Sequence, residues 1–244
     1  MKNSLTITGL TKKYDTKTAV NGFSAIVEKG EFFGLLGANG AGKTTTIECI
    51  LGIKKMDAGT VEILGYNPVS DRKKLFQKVG VQFQQTNYQD KITVKEACQV
   101  AYSLYENAKD WNDLLKLFGL FDMQNRMVND LSGGERQRLS VLLALIPNPE
   151  LVFLDELTTG LDSKARRDIW KHLEQLKKRG LTIVLTSHYM DEVQTLCDRI
   201  CILKHGNIVV MDTVPNVIKN SPCDNLEDAY LWYTDEEVNY NESF

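Results

Sequence analysis

The chain has 244 residues, a formal net charge of −3, 25% charged and 43% hydrophobic residues. That length suits one substantial domain or two small ones, and the balance is ordinary for a globular fold. The weak charge excludes a dedicated nucleic-acid binder, and the longest apolar stretch, residues 139–146, is too short to cross a bilayer. The first residues lack the apolar core of a signal peptide, so a cytoplasmic chain is expected, with any membrane role coming through a partner. Five scattered cysteines (Cys49, Cys98, Cys197, Cys201 and Cys223) suggest reduced core thiols rather than a disulfide framework or a zinc site.

In chain order, residues 5–8 and 23–27 alternate as half-buried strands. Residues 31–36 read as a strand entering Gly37-Ala38-Asn39-Gly40-Ala41-Gly42-Lys43-Thr44, and residues 44–51 as the helix leaving it. This octapeptide fits G-x-x-x-x-G-K-[ST], in which glycines let backbone amides converge on a nucleotide's phosphates. Lys43 can reach the β- and γ-phosphates, the Thr44 hydroxyl can ligate Mg²⁺, and the helix N-terminus presents its positive pole. Residues 59–64 and 79–83 are further strands. From residue 94 to about 131 the spacing turns helical, with Val94, Ala97, Cys98, Ala101 and Tyr102 on one face.

Ser132 and Glu135 then fit the S-x-x-E capping box of a new helix. Gly133 and Gly134 fall in its first turn, where each costs up to ~1 kcal/mol relative to alanine. Paired glycines there make sense where another backbone or a phosphate approaches closely, so this capped end reads as a second anion site. One phosphate loop and one separate anion site suggest that two chains share each nucleotide.

Residues 151–154 form an apolar run that ends in Asp155 and Glu156. A buried parallel strand has this pattern, and open α/β sheets bind ligands at that end. Asp155 suits Mg²⁺ held through water, and Glu156 suits a general base for an attacking water. Helices at 164–178 and 190–196 alternate with strands at 182–185 and 200–203, giving an α/β core with parallel strands and a helical insertion. After Lys219 every charged residue is an acid (Asp224, Glu227, Asp228, Asp235, Glu236, Glu237 and Glu242), and Ser221-Pro222 is the natural end of the main body.

Residues 131–138, Leu-Ser-Gly-Gly-Glu-Arg-Gln-Arg, resemble the signature motif of ATP-binding cassette (ABC) proteins, and the resemblance spans about residues 4–219. It implies a P-loop NTPase core of the α/β class, with a mainly parallel sheet, an N-terminal antiparallel β subdomain and a helical subdomain inserted at about 86–147. Residues 1–220 would then form the ATPase domain and 221–244 an acidic C-terminal helix and tail. The resemblance further implies that Tyr14 stacks on adenine, that Thr45 joins the phosphate loop, and that Gln84 senses Mg²⁺ and water, with Gln82 and Gln85 close alternatives. Asp162 meets its counterpart across a dimer, and His188 contacts the γ-phosphate.

The mechanism implied is closure of two cassettes around two ATP molecules, each between Lys43 of one chain and Ser132–Gly134 of the other. A membrane permease is the partner, and the second ATPase subunit is a copy of this chain or a related one. Leu157 and Ser163 stand where many relatives have proline, which leaves this loop freer.

Residues 225–234 resemble the closing helix of cassettes serving small bacterial exporters of drugs, antibiotics or polysaccharides. Importer cassettes more often carry a further regulatory domain, for which residues 221–244 leave no room. Export is therefore the expectation, against an importer cassette, a non-transport ABC ATPase or a regulatory ATP-binding module. Tyr88 and Ile92 lie where the family touches its permease, and read either as groove-filling contacts or as a plain surface loop.

Overall fold

The computed structural model describes residues 3–83, 88–156, 158 and 161–234. The chain opens with β1 (Asn3–Tyr14) and β2 (Lys17–Glu28), followed by β3 (Phe32–Leu36), α1 (Lys43–Ile50) and β4 (Ala58–Ile63). Next come α2 (Arg72–Leu75), β5 (Val79–Gln82), α3 (Val94–Ser103), α4 (Trp111–Leu117) and α5 (Gly133–Leu145). The C-terminal half comprises β6 (Leu151–Asp155), α6 (Ser163–Lys178), β7 (Thr182–Thr186) and α7 (Met190–Leu196). It closes with β8 (Arg199–Lys204), β9 (Asn207–Thr213), α8 (Val214–Lys219) and α9 (Leu226–Thr234).

Two sheets organise these elements. A three-stranded antiparallel sheet has the order β2-β1-β4, and a six-stranded sheet has the order β5-β6-β7-β3-β8-β9. In the larger sheet only β9 runs antiparallel. Its strands β3, β6 and β7 are buried along their whole length and mostly apolar, because both faces are covered. Phe32, Leu36, Val152, Leu154, Ile183 and Leu185 face a core shared with α5, α6, α7 and α9. Their neighbours Phe33, Leu35, Leu151, Phe153 and Val184 face the other core, filled by α1 and the small sheet. The period of two along each strand makes this division.

The helical insertion is not a separate core, since Val94, Cys98, Leu114 and Leu115 belong to the same cluster as the strand residues. Thr93 starts α3 with a complete capping box, accepting from the Glu96 amide. Gly80 lets β5 lie directly under α5, because a side chain there would strike the Ala144 carbonyl. Tyr88 and Ile92 are half-buried and pack on the helical core. The segment after Ser221 shares the main core, where Leu226 and Ala229 are fully buried. Cys49, Cys98, Cys197 and Cys201 are all buried, and burial pushes the Cys98 thiol up to about 12. Among the described residues no helix is long and apolar enough to span a membrane.

Candidate functional site: a phosphate loop facing two strand-end carboxylates

β3 delivers the chain into the phosphate loop at the C-terminal edge of the large sheet. The loop needs backbone angles that side chains resist: φ is 151° at Gly37 and 110° at Gly42. Space also demands glycine. A Cβ on Gly37 would lie 2.5 Å from the Leu203 carbonyl oxygen, and one on Gly42 would strike the Ala19 carbonyl. Gly206, in the β8–β9 turn, faces that same carbonyl, and its amide donates to Ala41 O at 2.9 Å. The loop is thus gripped by β2 on one side and the β8–β9 turn on the other.

α1 starts at Lys43 with Gly42 as its cap and no side chain closing its first amides. Lys43 is buried, and its ammonium donates to Gly37 O at 2.6 Å and Ala38 O at 3.2 Å. Burial lowers its pKa, against the pull of Glu156 and Asp155.

β6 and β7 pair in parallel so that Asp155 stands beside Thr186. The Thr186 hydroxyl donates to Asp155 Oδ1 at 2.5 Å and accepts the Glu156 amide at 2.9 Å. Asp155 Oδ2 faces the Thr44 hydroxyl at 3.4 Å. Burial raises the Asp155 pKa, with the neighbouring Glu156 charge adding to the effect. Glu156 sits at φ 53°, which swings the chain out of the strand and brings its carboxylate against His188 Nε2. Behind His188, Glu192 on α7 is fully buried and accepts from Trp170 Nε1 at 3.0 Å; burial pushes its carboxyl upward.

A cleft of about 460 Å³ is lined by Tyr14, Asn39, Gly40, Gly42, Lys43, Thr44, Thr45 and Glu156, with Lys17 and Ala19. Tyr14 is 41% exposed, with Lys12 Nζ 5.2 Å and Lys54 Nζ 5.5 Å from its ring centroid. Besides five of the eight loop residues, the cleft therefore gathers the N-terminal tyrosine and the strand-end carboxylate at one place.

Ser132, Gly133 and Gly134 do not line this cleft. They form the exposed start of α5, where the Ser132 hydroxyl accepts from the Glu135 amide at 3.3 Å and the Glu135 carboxylate accepts from the Ser132 amide at 2.7 Å. Leu161 packs beside Gly134, and Asp162 caps α6, accepting from the Lys164 and Ala165 amides at 2.9 Å each. Those bonds, the Ala165 one foremost, hold its carboxyl below the usual range. Gln84 and Leu157 lie outside the described residues. Gln82 is buried, and its amide donates to the Asp155 carbonyl at 3.3 Å.

Sequence reading missed Thr186, which orients both carboxylate residues. Its signal was a hydroxyl closing the apolar strand 182–186, legible only once β6 and β7 are known to be neighbours. Lys17 and Ala19 were missed for the same reason, since nothing in their own segment points to a phosphate loop two strands later.

A glycine loop at a strand–helix junction, a buried lysine and paired carboxylates at the end of β6, one strand removed from β3 in the sheet, define a P-loop nucleotide-binding protein. The ABC transporter family profile matches residues 20–159. The Nod factor export ATP-binding protein I of Rhizobium sp. (strain N33) is 42% identical over 211 residues, covering 84% of this chain and 69% of that protein. The protein of the same name from Burkholderia lata is 38% identical over 229 residues, covering 88% and 73%. Among solved structures, an ATP-binding subunit of an ABC transporter superposes with a TM-score of 0.86 at 23% identity, covering 94% of this chain and 98% of that one. The ATP-binding cassette MJ0796, in a dimeric post-hydrolysis state bound to ADP and Pi, gives 0.77 at 27% identity, covering 86% and 98%. The chain belongs to the ABC transporter family, as an ATP-binding and ATP-hydrolysing subunit.

Proposed function

We propose that this chain powers an exporter, working as a dimer beneath a separate membrane permease at the cytoplasmic face. The observation that carries the reading is the split between two anion-ready elements. The phosphate loop and Glu156, with His188 against it, meet at one cleft, while the start of α5 lies outside that lining; in this reading a second chain brings the phosphate that its Gly133–Gly134 turn receives. The relatives named for Nod factor export favour the outward direction.

In this reading Tyr14 offers its exposed face to adenine, and the loop amides, with Lys43, hold the phosphates. Lys43 leaves its contacts with Gly37 O and Ala38 O to meet the β- and γ-phosphates. Thr44 and Asp155 present hard oxygen donors to one point, which fits Mg²⁺; that ion would neutralise phosphate charge. Glu156 accepts a proton from the attacking water, and His188, on the Glu156 carboxylate, donates toward the γ-phosphate as charge develops. Ser132, Gly133 and Gly134 of the opposite chain close over that phosphate, and Asp162 sits at the contact between chains. Gln84 lies next to the water in the same reading.

The test is Glu156→Gln. ATP turnover should fall at least ~100-fold while ATP binding persists, and ATP should convert the chain to a stable dimer. A tagged Glu156→Gln chain drawn from native membranes with ATP should bring a polytopic permease with it. Recovery of ribosomes or soluble partners alone would overturn the transporter role.

A further inference from the structure

At the opposite end of the sheet from the nucleotide cleft, a second cleft of about 450 Å³ opens between the ends of α5 and α6. Glu150 and Leu181, which line it, immediately precede β6 and β7, so about 15 Å of strand separates it from Asp155 and Thr186. Its floor is apolar, with Leu176 and Leu181 almost wholly buried. Its walls carry Lys29, Lys109 and Arg179.

The charges do not balance. Glu150 is the one carboxylate among the described residues of the lining, and it already accepts from Lys78 Nζ at 2.8 Å. Lys109 is half-buried with Arg179 for a charged neighbour, and burial and that second cation both lower its pKa. The nearby helix ends are closed by backbone amides. Ile146 O accepts from the Lys109 amide at 2.8 Å, Leu176 O from the Arg179 amide at 3.0 Å, and Lys177 O from the Gly180 amide at 2.8 Å. Two like charges held together over an apolar floor are stabilised by an anion that also covers the floor.

We infer that this cleft binds a small soluble amphipathic anion, a phosphate or carboxylate head on a short apolar body. The head sits between Lys109, Arg179 and Lys29, and the body covers Leu176 and Leu181. The site is independent of the exporter reading.

Calorimetric titration of octyl phosphate into the chain, with the nucleotide cleft saturated by ADP and magnesium, tests the assignment. One saturable site is expected. Inorganic phosphate and octanol, each lacking half of the recognition, should bind at least about tenfold more weakly. Lys109→Gln combined with Arg179→Gln should weaken octyl phosphate about tenfold or more, with ADP affinity and basal ATPase unchanged. Glu150→Gln, which adds no bulk, should tighten it. No binding, equal affinity in the doubly substituted chain, octanol binding as tightly, or no tightening in Glu150→Gln would each overturn the site. So would capture by phosphatidylglycerol vesicles without binding of the soluble probe.

Discussion

Thr186 spends one hydroxyl on two neighbours, donating to Asp155 and accepting from the Glu156 amide. Replacement by valine keeps the shape of a fully buried side chain and leaves both partners unsatisfied, a cost of about 1–3 kcal/mol each. Thr186→Val should therefore lower the turnover of ATP by ~10-fold or more with a small change in ATP affinity, as steady-state hydrolysis beside equilibrium binding will show. Glu192 makes a different prediction. Its folded carboxyl titrates above its unfolded value, so the folded state keeps the proton longer. Its contribution to stability is full below the unfolded value, ~4.3, and declines as pH rises through the folded one. Glu192→Gln keeps the side-chain shape without the charge. Melting temperatures of variant and parent should converge in acid and separate at neutral pH with the glutamine form higher; the opposite ordering would contradict a buried, proton-retaining carboxyl.

Among elements, the inner strands were legible because burial on both faces leaves an uninterrupted apolar run, as in 151–154 and 183–185. The phosphate loop, the Asp155-Glu156 pair and the Ser132 cap were legible because each is contiguous in sequence. β9 and α8 were not. β9 is an edge strand whose residues are half-buried or exposed, so it carries no clean alternation. The full reach of β1 and β2, each 12 residues long, was hidden by register shifts that break the period of two. The contact of β5 with α5 was equally invisible, because a glycine inside a strand does not announce what approaches it. Its prediction is direct: Gly80→Ala forces the Ala144 carbonyl away and should cost at least ~1–3 kcal/mol in chemical denaturation.

For the whole molecule, the start of α5 separates stability from assembly. Gly133 has open space where a Cβ would go, and it occupies the first helical turn. An aspartate there suits the helix dipole and improves on glycine's helix propensity. The same charge would face the γ-phosphate brought by a second chain. Gly133→Asp should leave melting temperature unchanged or higher and ATP binding intact, yet abolish the ATP-dependent dimer in a Glu156→Gln background and cut turnover more than ~10-fold in the parent. Size-exclusion chromatography with and without ATP reads the first effect. A dimer that persists would show that α5 is not the second anion site.

The grip of β2 and the β8–β9 turn on the phosphate loop has a consequence for how the protein comes into being. Residues 37–44 leave the ribosome well before Gly206, which hydrogen-bonds Ala41 from far along the chain. Until that turn has emerged and docked, the loop lacks one of the two walls that shape it. A chain in which that turn has not docked should hold nucleotide more weakly, so that capture of ATP reports the meeting of two segments far apart in sequence.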